Sequence, residues 1–141
     1  MLGRRHIRIK VLQTYYAKEL ANDVPLTFLE GQLKTTFHKT LQLYLTMLRY
    51  LVDTCLYVLV DKSLRQAKFL KTNEDQSFST LLASNKIAVS LDENSTLKKL
   101  WEKENINQFI DKNIVRELYQ SLYKHSSYSI YRMLEHATLE A

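Results

Sequence analysis

Beyond Gln32 the chain contains neither glycine nor proline, and all 141 residues include only Gly3, Gly31 and Pro25 of these two types. Tight hairpins need residues that tolerate positive φ, and folds made of many short strands need many such turns. So little punctuation argues against a β-rich fold and predicts helices joined by polar Asn, Ser and Asp loops. Cysteine is equally scarce: Cys55 stands alone, so neither an internal disulfide nor a thiolate metal cage can form. A purely apolar leader is missing too, because the basic N-terminus runs straight into Gln13-Thr14-Tyr15-Tyr16. The serine enrichment of an organelle transit peptide is absent from the same stretch. Together these absences point to a cytoplasmic protein of a reducing compartment.

Catalytic signatures are missing as well. The four histidines, His6, His38, His125 and His136, are dispersed and form no H-E-x-x-H pair. There is no G-x-S-x-G elbow, P-loop or G-x-G-x-x-G, and two glycines cannot build a phosphate cradle. Carboxylates are scattered without a distinctive pair. Cys55 falls on an apolar seam, where it reads as a small core residue and not as a nucleophile. The expectation is a protein that is not an enzyme and needs no cofactor and no metal.

What is present is an apolar fraction of 45%, enough for a packed core in one domain. The first segment, Arg4 to about Asn22, reads as a helix. Ile9, Leu12, Tyr16 and Leu20 form one apolar stripe and Ile7, Val11 and Tyr15 a second, which predicts burial on two sides with both tyrosines in the core. Asn22-Asp23-Val24-Pro25 is a loop, with Pro25 suited to the start of the next helix. From about Leu26 a long helix follows, running to about Leu70, with Gly31 and Thr35-Thr36 marking a bend. Its seam is Phe37, Leu41, Tyr44, Leu48, Leu51, Cys55 and Val58 at alternating steps of four and three.

The stretch Leu41 to Val60 is apolar enough to raise a membrane span, yet Gln42, Arg49 and Asp53 lie inside it. Arg49 and Asp53 stand four apart and can pair on one helix face. Each would cost a few kcal/mol at mid-bilayer, so a soluble core helix is the reading taken. Residues 72–77, Thr-Asn-Glu-Asp-Gln-Ser, form a polar linker. Shorter helices follow: one near Ser79 with Leu81, Leu82 and Ile87, and one after Asn94-Ser95 with Leu97, Leu100 and Trp101. The last two come after Asn113 as N-cap and after Ser126-Ser127.

The predicted fold is an all-α helical bundle with one long central helix. It forms one helical domain over 1–141, divisible at the linker into 1–72 and 78–141. Leu41, Leu48, Leu51, Leu56, Leu59, Leu118 and Leu122 are the expected core.

Charge is distributed unevenly. Lys and Arg number 20 against 15 Asp and Glu, an excess of +5. Residues 1–18 carry Arg4, Arg5, Arg8, Lys10 and Lys18 and no acid. The remainder of the chain is balanced, so the whole excess sits at one end, which points to a polyanionic partner. Cations at a helix N-terminus oppose the helix dipole, so an external anion explains them better than helix stability does. Guanidinium groups grip phosphate oxygens in pairs and stack on bases, and a short arginine-rich helix suits structured or single-stranded RNA. Tyr15 and Tyr16, one to two turns on, are the alternative stacking surfaces. A second basic run, Lys62, Arg65, Lys68 and Lys71, is read as favourable charge at a helix C-terminus, with auxiliary phosphate contact as the lesser reading.

The run Arg4-Arg5-His6-Ile7-Arg8-Ile9-Lys10-Val11-Leu12-Gln13-Thr14-Tyr15-Tyr16-Ala17 resembles the N-terminal helix of NusB-type transcription antitermination factors, which begins R-R-x-x-R-x-x-x-x-Q-x-x-Y-A. The matching positions are Arg4, Arg5, Arg8, Gln13, Tyr16 and Ala17. The resemblance implies an all-helical protein that binds boxA-type RNA through its arginine-rich start. It also implies a NusE-type ribosomal protein as partner and a place in the transcription complex. Arg4, Arg5, Arg8 and Lys10 are the candidate RNA-binding residues. The family's C-terminal phenylalanine-valine-asparagine-glycine-like run is absent, since no glycine follows Gly31. The chain then reads as a divergent paralogue, or as the N-terminal half of an elongated variant. The competing class is a helical protein-protein interaction module, self-association through the long helix included, without RNA binding.

Overall fold

A computed structural model describes residues 3–20, 24–70, 72, 75 and 78–134. Asn22 and Asp23 of the expected loop, Lys71 of the second basic run, most of the 72–77 linker and His136 lie outside the described residues. The fold is all-α, and no strand occurs among the described residues. The helices are α1 (Arg4–Leu20), α2 (Leu26–Gln66), α3 (Lys86–Glu93), α4 (Ser95–Lys103), α5 (Lys112–Lys124) and α6 (Ser126–Tyr131). Two 3-10 turns, Leu81–Ser84 and Ile106–Phe109, precede α3 and α5. The chain divides into two compact units, Met1–Leu43 and Tyr44–Ala141.

In the first unit α1 has no buried residue. Tyr15 and Tyr16 are 59% and 65% exposed, and Leu12 and Leu20 are more exposed still. The expectation of burial on two sides is thus corrected. Every residue of both stripes is exposed, since a stripe is buried only where a packed layer faces it along its length, and Leu29 is the only buried residue the unit contributes among those described. The Thr35 and Thr36 hydroxyls donate back to the carbonyls of Gly31 and Gln32, both at 2.9 Å. Such back-bonds tend to bend a helix, but α2 continues unbroken through them.

The second unit holds two hydrophobic clusters against α2. Leu45 and Val52 pack with Leu97, Trp101 and Ile106, flanked by Leu48, Leu56, Leu91, Leu100 and Ile110. Val58 packs with Leu82, Tyr119 and Tyr128, flanked by Cys55, Leu122 and Tyr123. Of the expected core leucines, Leu48, Leu56 and Leu122 join these clusters, while Leu41, Leu51, Leu59 and Leu118 are exposed. On this part of α2 Leu45, Val52 and Val58 are buried and Leu48, Leu56 and Cys55 partly buried, so the expected seam holds at Leu48, Cys55 and Val58 and fails at Leu41, Tyr44 and Leu51, which are exposed. Apolar residues surround α2 here, so several registers satisfy the same spacing. On α5 the pair Val115 and Tyr119 is buried, and Ile114 and Leu118, equally four apart, are exposed.

Helix starts follow side-chain chemistry. Asn85 caps α3 by accepting from Ile87 N and Ala88 N, and Asn94 caps α4 by accepting from Leu97 N at 2.9 Å. The cap of α5 is Asp111, accepting from Asn113 N at 2.8 Å, so the expected cap at Asn113 is displaced by two residues. The Tyr50 hydroxyl donates to the Phe109 carbonyl at 3.1 Å and accepts from Asp111 N at 3.0 Å, pinning the entry to α5 against α2. α2 ends at Gln66, four residues short of Leu70. By length and composition α2 is apolar enough to cross a membrane, with a mean hydropathy of 1.5 over its most apolar stretch. The Arg49–Asp53 ion pair, at 2.9 Å, sits within it.

Candidate nucleic-acid interface

α1 opens on Gly3, whose carbonyl accepts from His6 N at 2.9 Å and Ile7 N at 3.2 Å. Its first turn holds no acid. Arg4, Arg5 and Arg8 are exposed, and no side-chain hydrogen bond or ion pair engages any of them among the described residues. Helical geometry makes neighbours of the three, because Arg4 and Arg8 are spaced i,i+4 and Arg5 and Arg8 i,i+3. Lys10 is half-buried and lies two residues from Arg8, on another side of the helix. The fold therefore assembles three of the four candidates and sets Lys10 apart from them.

Tyr15 follows Arg8 by seven residues, on the Arg4–Arg8 face and roughly 10 Å along the axis at 1.5 Å per residue. Tyr16 follows Arg5 by eleven residues and shares its face. Both rings are exposed. Solvent-facing rings beyond a cluster of unpaired guanidiniums can stack bases while the arginines hold phosphates.

Two members of the second basic run, Arg65 and Lys68, are engaged within the fold. Arg65 donates to Asp61 at 3.0 Å and to Asp75 at 3.3 Å, and Lys68 Nζ reaches Asp75 at 3.1 Å. Thr72 N–H and Oγ1–H also donate to Asp75 Oδ2, at 3.1 and 3.0 Å. Those backbone and side-chain donors, with Lys68, hold the Asp75 carboxyl down at about 2. Arg65 lies over the Phe78 and Tyr123 rings, and Arg132 over Tyr123 and Tyr128. Alternating rings and guanidiniums thus clamp the end of α2 to α5 and α6. Nothing in the linker's composition signals this node, because Asp75 looks like any other acid of a polar stretch.

Titratable groups elsewhere are tuned by packing. Burial raises the Cys55 thiol. Tyr128 is pushed up to about 12, first by burial. Tyr119 is raised by burial and then by Asp61, which accepts its hydroxyl proton at 3.1 Å. No group of three His, Cys, Asp or Glu able to hold a metal occurs among the described residues. Compared with protein-family models, curated proteins and solved structures, the chain matches none.

Proposed function

We propose that this chain is an RNA-binding transcription antitermination factor of NusB type that binds boxA-type RNA through α1. The observation that carries the reading is the trio Arg4, Arg5 and Arg8, exposed, mutually adjacent and unpaired on the first turns of a helix whose dipole they oppose. The NusB-like pattern from Arg4 to Ala17 supports it, and so does the confinement of the net charge to residues 1–18. Arg4 and Arg8 contact phosphates together, Arg5 flanks them, Tyr15 and Tyr16 offer ring faces, and Lys10 is an outlying contact. A NusE-type ribosomal protein and the transcription complex are the further partners, in the cytoplasm.

The test is fluorescence anisotropy with a short boxA-like RNA and a scrambled control over a range of salt, with the Arg4/Arg5/Arg8→Ala variant alongside. With three phosphates contacted, log K falls with log salt at a slope of roughly −2 to −3, and the variant flattens it. Loss of boxA preference in the variant supports the reading. Equal binding of both RNAs reduces it to a nonspecific basic arm.

A second reading is favoured by one observation, the exposed apolar surface of α1, where Leu12 and Leu20 are 69% and 70% exposed. Such a face suits a helical protein-interaction module. Absence of RNA binding at low salt transfers the assignment to it.

A further inference from the structure

Two hollows between α2 and α5 in the second unit adjoin at Tyr57 and together form a trough. One section of about 580 Å³ lies beside Arg49, Asp53, Val60 and Lys112. The next, of about 530 Å³, lies beside Asp61, Leu64, Arg65, Arg116 and Lys124, and Tyr57 borders both. The α2 wall is an apolar stripe, Leu56, Val60 and Leu64, at the four-residue spacing of one helix face. Val60 and Leu64 remain largely exposed.

The α5 side sets three basic side chains beside Val115, Tyr119 and Gln120. Lys112, Arg116 and Lys124 repeat on α5 at multiples of four, spanning roughly 18 Å at 1.5 Å per residue. The two acids of the trough are already held, Asp53 by Arg49 at 2.9 Å and Asp61 by Arg65 at 3.0 Å. Lys112, Arg116 and Lys124 are exposed, and no ion pair or hydrogen bond engages their side chains among the described residues. With the acids of the α2 side held by Arg49 and Arg65, the charge left uncompensated is basic and stands across from apolar Leu56, Val60 and Leu64, a combination that selects a ligand apolar on one side and acidic on the other.

The aromatic rings decide between ligand classes. A single-stranded nucleic acid stacks its bases on free ring faces. Here Tyr119 is 3% exposed and packs on Tyr57 at 5.1 Å, and Tyr123 lies between Arg65 and Arg132. We infer that this trough is a docking site for an acidic amphipathic segment of a partner protein, which seats leucine-like side chains against Leu56, Val60 and Leu64 and carboxylates against Lys112, Arg116 and Lys124. The residues that line it all belong to the second unit, and the inference does not rest on the RNA reading.

The probe is a fluorescein-labelled peptide with leucine at positions i, i+3, i+4 and i+7 and glutamate between them, titrated with the full chain. Controls are a scrambled peptide of the same composition and a version with lysine for glutamate. The acidic peptide binds in preference to both. The Lys112/Arg116/Lys124→Glu variant weakens it by about tenfold or more through reversal of the basic row, and a milder triple change to Gln weakens it less. Arg4/Arg5/Arg8→Ala leaves it unchanged, and oligouridylate does not displace it. Circular dichroism shows both α5 variants folded, as expected for exposed side chains without partners. Binding no better than the scrambled peptide, or binding insensitive to both α5 variants, overturns the inference. Displacement by oligouridylate reassigns the trough to nucleic acid. Concentration-dependent self-association abolished by the Glu variant reassigns it to a second copy of the chain.

Discussion

Trp101 is the chain's single tryptophan, and its replacement tests the packing of α4 on α2. Its side chain is 3% exposed in the cluster with Leu45, Val52, Leu97 and Ile106. Its Nε1–H donates to the Leu45 carbonyl at 3.1 Å, and the Arg49 guanidinium lies 5.0 Å from its ring centroid. Trp101→Ala opens a large cavity and costs about 3–5 kcal/mol. Trp101→Phe keeps most of the volume. It gives up the hydrogen bond, about 1 kcal/mol, and much of the cation–π contact, about 0.5–1 kcal/mol. Loss of the second ring adds about 1 kcal/mol, so Trp101→Phe costs about 2–3 kcal/mol. The Leu45 carbonyl is not orphaned, since a carbonyl has two lone pairs and the helix uses one.

Urea unfolding followed by far-ultraviolet circular dichroism measures both variants. At a slope of roughly 1–2 kcal/mol per M urea, Trp101→Ala lowers the midpoint by at least about 1.5 M. In the unsubstituted chain, Trp101 emission is blue-shifted, resists acrylamide quenching and moves to the red in the same transition. A cost under about 1 kcal/mol for Trp101→Ala, or solvent-exposed emission in the folded chain, refutes the placement of α4 against Leu45 and Val52.

Two further predictions concern the second unit. The Asp75 carboxyl is depressed from its usual 3.8 to about 2, so its contribution to stability is complete above about pH 4 and is lost as pH falls from there through about 2. Asp75→Asn removes that step from a plot of melting temperature against pH, and an unchanged plot refutes the Lys68–Asp75–Thr72 node. Asn105 sits at φ 50°, the left-handed region, and precedes the Ile106–Phe109 turn. There Asn105→Ala costs about 1 kcal/mol while Asn105→Gly is close to neutral, and thermal melts that rank the two in the opposite order contradict that backbone.

Much of the helix plan was legible in the residues. Absence of glycine and proline after Gln32 left only helices, and polar Asn, Asp and Ser marked where they start. Asn94 capped its helix where expected, while α5 was capped by Asp111 and not by Asn113, because two good caps stand two residues apart and spacing cannot rank them. Arg49 and Asp53, four apart, paired as their spacing suggested.

The buried faces were less legible. α2 is apolar nearly all round between Leu41 and Val60, so periodicity could not separate the Leu45-Leu48-Val52-Leu56 face from the Leu41-Leu51-Leu59 side. Tyr15 and Tyr16 lie on apolar stripes, yet nothing local tells a stripe that finds a partner from one that does not.

By itself, then, the sequence determined the class of fold, the helix start at Asn94, and the concentration of arginines in the first turns of α1. All of these follow from interactions within a few residues. Only the tertiary structure decided which side of each amphipathic or all-apolar helix is buried. It alone brought Asp75 to Lys68 and Arg65, and it alone set the Lys112–Arg116–Lys124 row across from Val60 and Leu64. The buried faces and the α5 row depend on contacts between residues far apart in the chain, where one spacing rule admits several registers and packing selects among them, and the Asp75 node depends on the chain turning back after α2 ends.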